Sequence, residues 1–131
     1  MSAVRSSALP EHASRHHDLA IQLASPPDLG RTPGLANAFV AAAGRRVDWI
    51  HIPTLDRTDD AFYSALAGLK PDGARVFLGM IHHTESFEQR LAAARRHLPE
   101  FGLAAYCGLG RSPASEMPAV LAAHLRAVDA R

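Results

Sequence analysis

Residues 74–111 read ARVFLGMIHHTESFEQRLAAARRHLPEFGLAAYCGLGR, and the reading of this stretch decides the fold. An apolar run of strand length, Val76 to Ile81, ends in two histidines, His82 and His83. In the helical segment that follows, with Thr84 as its expected cap, Phe87, Leu91, Ala94 and Leu98 recur at spacings of three and four, so they share one face. Pro99 to Gly102 reads as a turn. A second apolar run, Leu103 to Tyr106, then ends in the sole cysteine, Cys107, followed by Gly108, Gly110 and Arg111. Strand, helix and strand in this order form a βα unit with parallel strands. In such folds functional groups collect at the C-terminal ends of the strands, where the loops begin. His82, His83, Cys107 and Arg111 all occupy that position.

The same alternation extends outward. Pro71-Asp72-Gly73 is a turn, preceded by a helix whose buried stripe is Phe62, Ala65, Leu66 and Leu69. Thr58 is its expected cap, with Asp59 and Asp60 in the first turn, where the helix dipole favours carboxylates. Val47 to Ile52 (VDWIHI) is the next strand upstream. Before it, Thr32 as N-cap and Pro33 at N1 open a helix that Gly44 ends, with Leu35, Ala38, Phe39 and Ala42 as its expected core stripe. Leu19 to Ala24 is a short strand stopped by Ser25-Pro26-Pro27. Downstream, a last helix from about Ser115 carries Met117, Val120, Leu121, His124, Leu125 and Val128 on one stripe.

The pattern βαβαβαβα predicts an α/β fold: four βα units with right-handed crossovers and a parallel sheet. Four such units make either a small open sheet or half of an eight-stranded barrel. A half barrel leaves two strand edges unpaired and so favours association. Residues 1–17, polar and broken by Pro10, read as a tail, and residues 18–131 as one domain large enough to bury a core. The tail histidines His12, His16 and His17 read as solvated rather than as metal ligands.

Composition removes several function classes. A net charge of +1, with 21% charged residues, gives no electrostatic argument for nucleic acid or an anionic membrane. No apolar run approaches the roughly 18–20 residues that span a bilayer. One cysteine excludes an internal disulfide, and the first residues lack the apolar core of a signal peptide, so the expected location is cytoplasmic.

Among the reactive side chains, strand alternation turns one of His82 and His83 inward. His82 is the choice, if Phe77, Gly79 and Ile81 share one face and Leu78, Met80 and His82 the other. It reads either as a structural histidine on a loop carbonyl or as a proton donor. Cys107 reads as a small core residue or as a thiolate favoured by Arg111. Gly108 and Gly110 let a ligand approach the backbone, and Arg111 can hold a carboxylate bidentately or lie on the surface. His51 shares a face with Val47 and Trp49 and reads as buried and hydrogen-bonded. Trp49 reads as core or pocket wall, and His124 as packed on its helix. Capping accounts for Asp56, Asp59 and Asp60.

Residues 47–83, VDWIHIPTLDRTDDAFYSALAGLKPDGARVFLGMIHH, with residues 91–111, LAAARRHLPEFGLAAYCGLGR, resemble the C-terminal catalytic region of cobalamin-independent methionine synthase-like proteins. Their superfamily also holds uroporphyrinogen decarboxylase, and the resemblance spans roughly residues 26–128. It implies a (βα)8 TIM barrel, of which this chain would be the C-terminal half. It also implies a zinc that activates the homocysteine thiol to take a methyl group. In the family a His-x-Cys pair on one strand, a carboxylate on the next and the cysteine of a strand-end C-G motif hold that zinc. Carried over, Cys107 matches the last ligand, and His82 the strand-end histidine used as a proton donor near the substrate. The chain departs from the pattern elsewhere: it has no second cysteine, no glutamate in Val47–Pro53 and only four of the βα units.

A catalytic zinc takes three protein ligands and an open position, so one matched ligand does not support autonomous methyl transfer. No cofactor is therefore expected of the lone chain, and zinc is the one metal the resemblance raises. The first expectation is a truncated methionine-synthase-like domain that self-associates as a homo-oligomer. It would bind a small thiol or carboxylate ligand near His51, His82, Cys107, Gly108 and Arg111. The second is a zinc-dependent methyl or alkyl transferase with a Cys/His/His site, in which His51 and His82 replace the lost ligands. A homodimer or a complementary half-barrel protein would complete it. The third is a non-catalytic interaction module.

Overall fold

The computed structural model describes residues 19–22, 29–54, 56–81, 86–106 and 108–130. In chain order these form β1 (Ala20–Gln22), α1 (Thr32–Ala42), β2 (Trp49–Pro53) and α2 (Asp60–Ser64), which a 3-10 turn, Ala65–Gly68, extends. Then come β3 (Arg75–Ile81), α3 (Phe87–His97), β4 (Gly102–Ala105), two short 3-10 turns and α4 (Met117–Asp129). The strands make one parallel sheet in the order β1-β2-β3-β4, so each pairs with its neighbour in sequence. The α/β reading, with four parallel strands and interleaved helices, stands.

Register explains the core. Ile50 lies opposite Val76, and Ile52 opposite Leu78, which in turn pairs with Leu103. Because side chains alternate along a strand, these residues share one face. Ile50, Ile52, Val76 and Leu78 are buried there, with Leu103 half-buried beside them, under Ala36 of α1, Phe62 and Tyr63 of α2, Leu66, and Leu91 and Ala94 of α3. Ala123 and Ala127 of α4 join this side through Ile81, Leu103 and Phe87. Sequential strand order with the helices packed on one face leaves the opposite face without a helical layer among the described residues.

Several local expectations are corrected. A β-bulge lies between Gly79, which pairs with Ala104, and Ile81, which pairs with Ala105. The extra residue breaks alternation, so Ile81 does not join the Phe77 and Gly79 face but packs against α4. His82 and His83, whose facing was inferred from that alternation, lie outside the described residues. In α1 the residues expected in the core, Leu35, Ala38, Phe39 and Ala42, point outward, and Thr32, Pro33 and Ala36 are buried instead. Asn37 fixes this rotation: its Nδ2 donates to the Gly68 carbonyl at 2.9 Å and its Oδ1 accepts from the Lys70 amide at 2.7 Å. Arg31, not Thr32, is the N-cap residue of α1.

Similarly, α4 begins at Met117 and buries Val120, Ala123 and Ala127, while Leu121, Leu125 and Val128 are exposed. The second helix is capped by Asp59 rather than Thr58, because the Asp59 backbone is extended and its carboxylate accepts from the Phe62 amide at 3.2 Å. The expected cap of α3, Thr84, lies outside the described residues.

Two exposed carboxylates join these pieces. Arg57 Nε donates to Asp59 Oδ1 at 2.6 Å, and Arg96 Nε donates to Asp60 Oδ1 at 2.8 Å, linking α3 to α2. The Arg57 bond holds Asp59, and the Arg96 bond followed by that of His97 holds Asp60, below the usual carboxylate range. A depressed folded-state pKa adds stability that is complete above the unfolded-state value and is lost as pH falls through the folded one. Tm is therefore expected to drop as pH is lowered below about 4. The drop should be modest and blunted by salt, since both groups are in solvent. Thermal melts across the acid range at low and high salt check this.

Candidate functional site

The face of the sheet opposite the helices carries Trp49 and His51 of β2, Arg75, Phe77 and Gly79 of β3, and Gly102 and Ala104 of β4, as the register requires. With Tyr106, Gly108 and Leu109, five of these residues (Trp49, His51, Arg75, Phe77 and Ala104) line a concavity of about 480 Å³. That volume falls within the range of small-molecule sites. Trp49 and Phe77 meet edge to face with centroids 6.5 Å apart, and the Arg75 guanidinium lies 5.9 Å from the Phe77 ring centre. The lining is thus largely aromatic, with one cation at the end where β3 begins.

Two glycines make room for it. A Cβ at Gly102 would come within 2.5 Å of the Phe77 ring, and one at Gly79 within 2.7 Å of His51 Nε2. The imidazole can lie across β3 because nothing projects from Gly79. There its Nε2 donates to the Ala105 carbonyl at 3.0 Å, which ties β2 to β4 over β3. A carbonyl can only accept, so Nε2 carries a proton. In the neutral ring Nδ1 is then an acceptor, and it is buried with no hydrogen-bond partner among the described residues. Buried polar atoms are nearly always paired; among the described side chains this nitrogen is the exception.

Of the residues singled out from sequence, His51 and Gly108 line the concavity and Trp49 forms its wall. Arg111 does not line it. Arg111 is exposed, and its guanidinium folds back over Gly108, whose φ of +97° suits glycine. His82 and Cys107 lie outside the described residues. Sequence reading missed Arg75, Phe77 and Tyr106. The signal for the first two was available: Arg75 and Phe77 alternate with the core residues Val76 and Leu78. His124 is half-buried on α4, with Nδ1 at 2.8 Å from the Val120 carbonyl.

Arg90 organises the C-terminal side of the sheet. It is fully buried, donating from Nη1 to the Met80 carbonyl at 2.7 Å and from Nε to Ser86 Oγ at 3.1 Å. Asp56 lies 3.9 Å from its Nη2. Burial pushes the guanidinium pKa down, opposed by Tyr63 and Asp56; burial likewise pushes the Tyr63 phenol up, opposed by Arg90. Tyr63 in turn donates to the Arg57 carbonyl at 2.8 Å.

Among the described residues no three His, Cys, Asp or Glu side chains converge to hold a metal ion. His51 offers one nitrogen, where a catalytic zinc takes three protein ligands. Cys107 and His82, the other members of the expected Cys/His/His site, lie outside the described residues. No helix among the described residues is long and apolar enough to cross a membrane. No protein-family model, curated protein or solved structure matches the chain.

Proposed function

We propose that the chain is a methionine-synthase-like half barrel that binds a small carboxylate or thiol on the sheet face that no described helix covers, without zinc-dependent methyl transfer of its own. The observation that carries the reading is the concavity: aromatic walls, a cation where β3 begins and, among the lining residues, His51, whose buried Nδ1 has no partner among the described residues. Trp49, Phe77 and Tyr106 would take the apolar body of the ligand. Arg75 forms no ion pair with a carboxylate among the described residues and would hold a ligand carboxylate. His51 Nδ1 accepts, so a thiol or hydroxyl proton is the complement it lacks. The half-barrel part of the reading draws on the sequential strand order and one-sided helices, which match the progression of units around a (βα)8 barrel.

Trp49 is the sole tryptophan, so its fluorescence reports on this site. Titration with homocysteine, and with butyrate as a carboxylate lacking sulfur, is expected to change that emission saturably. Arg75→Ala should weaken both by roughly tenfold or more, the scale of one charge-assisted hydrogen bond. His51→Phe should act on homocysteine alone. An emission that neither compound alters would overturn the binding reading. Stoichiometric zinc in purified protein, lost on Cys107→Ser, would instead assign the zinc transferase.

A further inference from the structure

Helix rotation carries an argument about what completes the sheet. On α1, Asn37, one position after the core residue Ala36, faces the following unit and bonds Gly68 and Lys70. On α3, Arg90, one position before the core residue Leu91, faces the preceding unit, where Asp56 lies. Stepping one residue past the core line therefore turns a side chain toward the next unit, and stepping one back turns it toward the previous unit. At 100° per residue the two steps point to opposite flanks.

Applied to the two end helices, this rule gives a pattern. Among the described residues the exposed large apolar side chains are Leu35, Phe39, Leu121, Leu125 and Val128, all half or more exposed and all on α1 or α4. Leu35 and Phe39 lie one before Ala36 and Val40, so they face the side where a preceding unit would stand, which no described element covers. Leu121 and Val128 lie one after the buried Val120 and Ala127, and Leu125 follows half-buried His124, so these face the side where a following unit would stand, which no described element covers. Among the described residues the outer edges of β1 and β4 are unpaired on the same two sides. What the last unit needs is what the first unit offers: a parallel strand edge beside an apolar helix flank.

We propose that two copies of this chain close into one eight-stranded barrel, with β4 and α4 of each copy against β1 and α1 of the other. This rests on the half-barrel reading and deepens it, because the bare faces then enclose a shared cavity around Trp49, His51 and Phe77. A twofold axis along the barrel makes both seams identical, so the assembly is finite and leaves no edge free. Covering five large, mostly exposed side chains on each of two copies removes on the order of 1,000 Å² of apolar surface, where specific interfaces begin. Strand pairing at both seams adds to this.

Sedimentation and native mass spectrometry are expected to give twice the chain mass of 14.1 kDa. Leu125→Glu and, on the opposite flank, Leu35→Glu should each raise the dimer dissociation constant roughly a hundredfold or more. Gln89→Glu, exposed on the middle helix α3, should leave it unchanged. Pairing Leu125→Glu with Phe39→Arg in one chain should restore the dimer, since each position lies about two turns into its helix and the closed barrel sets α4 beside α1. Circular dichroism checks folding, and if one flank variant fails to fold the other decides. A wild-type monomer, or a dimer indifferent to both flank variants, overturns the closed barrel. The Trp49 titration on the same samples separates the two readings: a monomer that binds ligand defeats only the dimer, and a dimer that ignores ligand defeats only the binding site.

Discussion

Replacing Arg90 with alanine is expected to lower the unfolding free energy by about 2–4 kcal/mol, from a buried carbonyl left without its donor and a cavity left behind, since its partner Asp56 is solvent-exposed and leaves no buried charge. The guanidinium is fully enclosed and donates to the Met80 carbonyl and the Ser86 hydroxyl. Alanine would leave that carbonyl buried without a donor and open a cavity between β3 and α3. Lysine would not restore the site, because one ammonium cannot reproduce a planar fork aimed in several fixed directions. Methionine, which refills the volume but not the bonds, should fall between wild type and alanine. Urea unfolding followed by circular dichroism measures the series. A loss below about 1 kcal/mol for alanine would mean that the carbonyl finds another donor at little cost.

The second large effect is expected at Gly79. A Cβ there meets His51 Nε2 at 2.7 Å and the Ala105 backbone oxygen at 3.0 Å, and backbone cannot swing aside as a long side chain can. Gly79→Val adds two methyl groups to that contact. It should cost roughly 2–4 kcal/mol through overpacking and loss of the His51–Ala105 hydrogen bond. It should also expel the imidazole from the concavity, so the homocysteine response at Trp49 is expected to vanish along with stability. Gly79→Val combined with His51→Ala tests the link. Removing the ring relieves the clash, so the double variant should be more stable than Gly79→Val alone, a non-additivity that independent sites do not show.

The strands were legible because their signal is local. Val47 to Ile52 and Val76 to Ile81 are short apolar runs between turn residues, and both became strands within one or two residues of their expected ends. Helix rotation was less legible. Periodicity weights large side chains and so favoured Leu35, Phe39, Leu121 and Leu125, whereas close approach of a helix to a sheet selects small ones, here Ala36, Ala123 and Ala127. The large residues obey the helical period equally well, but on a flank that no described element covers. At the site, His51 could be read from its alternation with Trp49. The bulge at the end of β3 could not be read, since one inserted residue leaves no mark on a hydrophobic pattern. Arg75 escaped notice because an arginine at the start of a strand resembles a solvated end until its neighbours across the sheet are known.

Strand order also bears on how the chain acquires its fold. Ala20 pairs with Trp49, Trp49 with Arg75, and Phe77 with Gly102, so no pairing reaches beyond one crossover. Loop-closure entropy grows with the separation of paired segments, and folding slows as that separation rises. A sheet laid down in this order can therefore grow one unit at a time, each strand docking on the one synthesised just before it. A chain leaving the ribosome meets its pairing partner already in place.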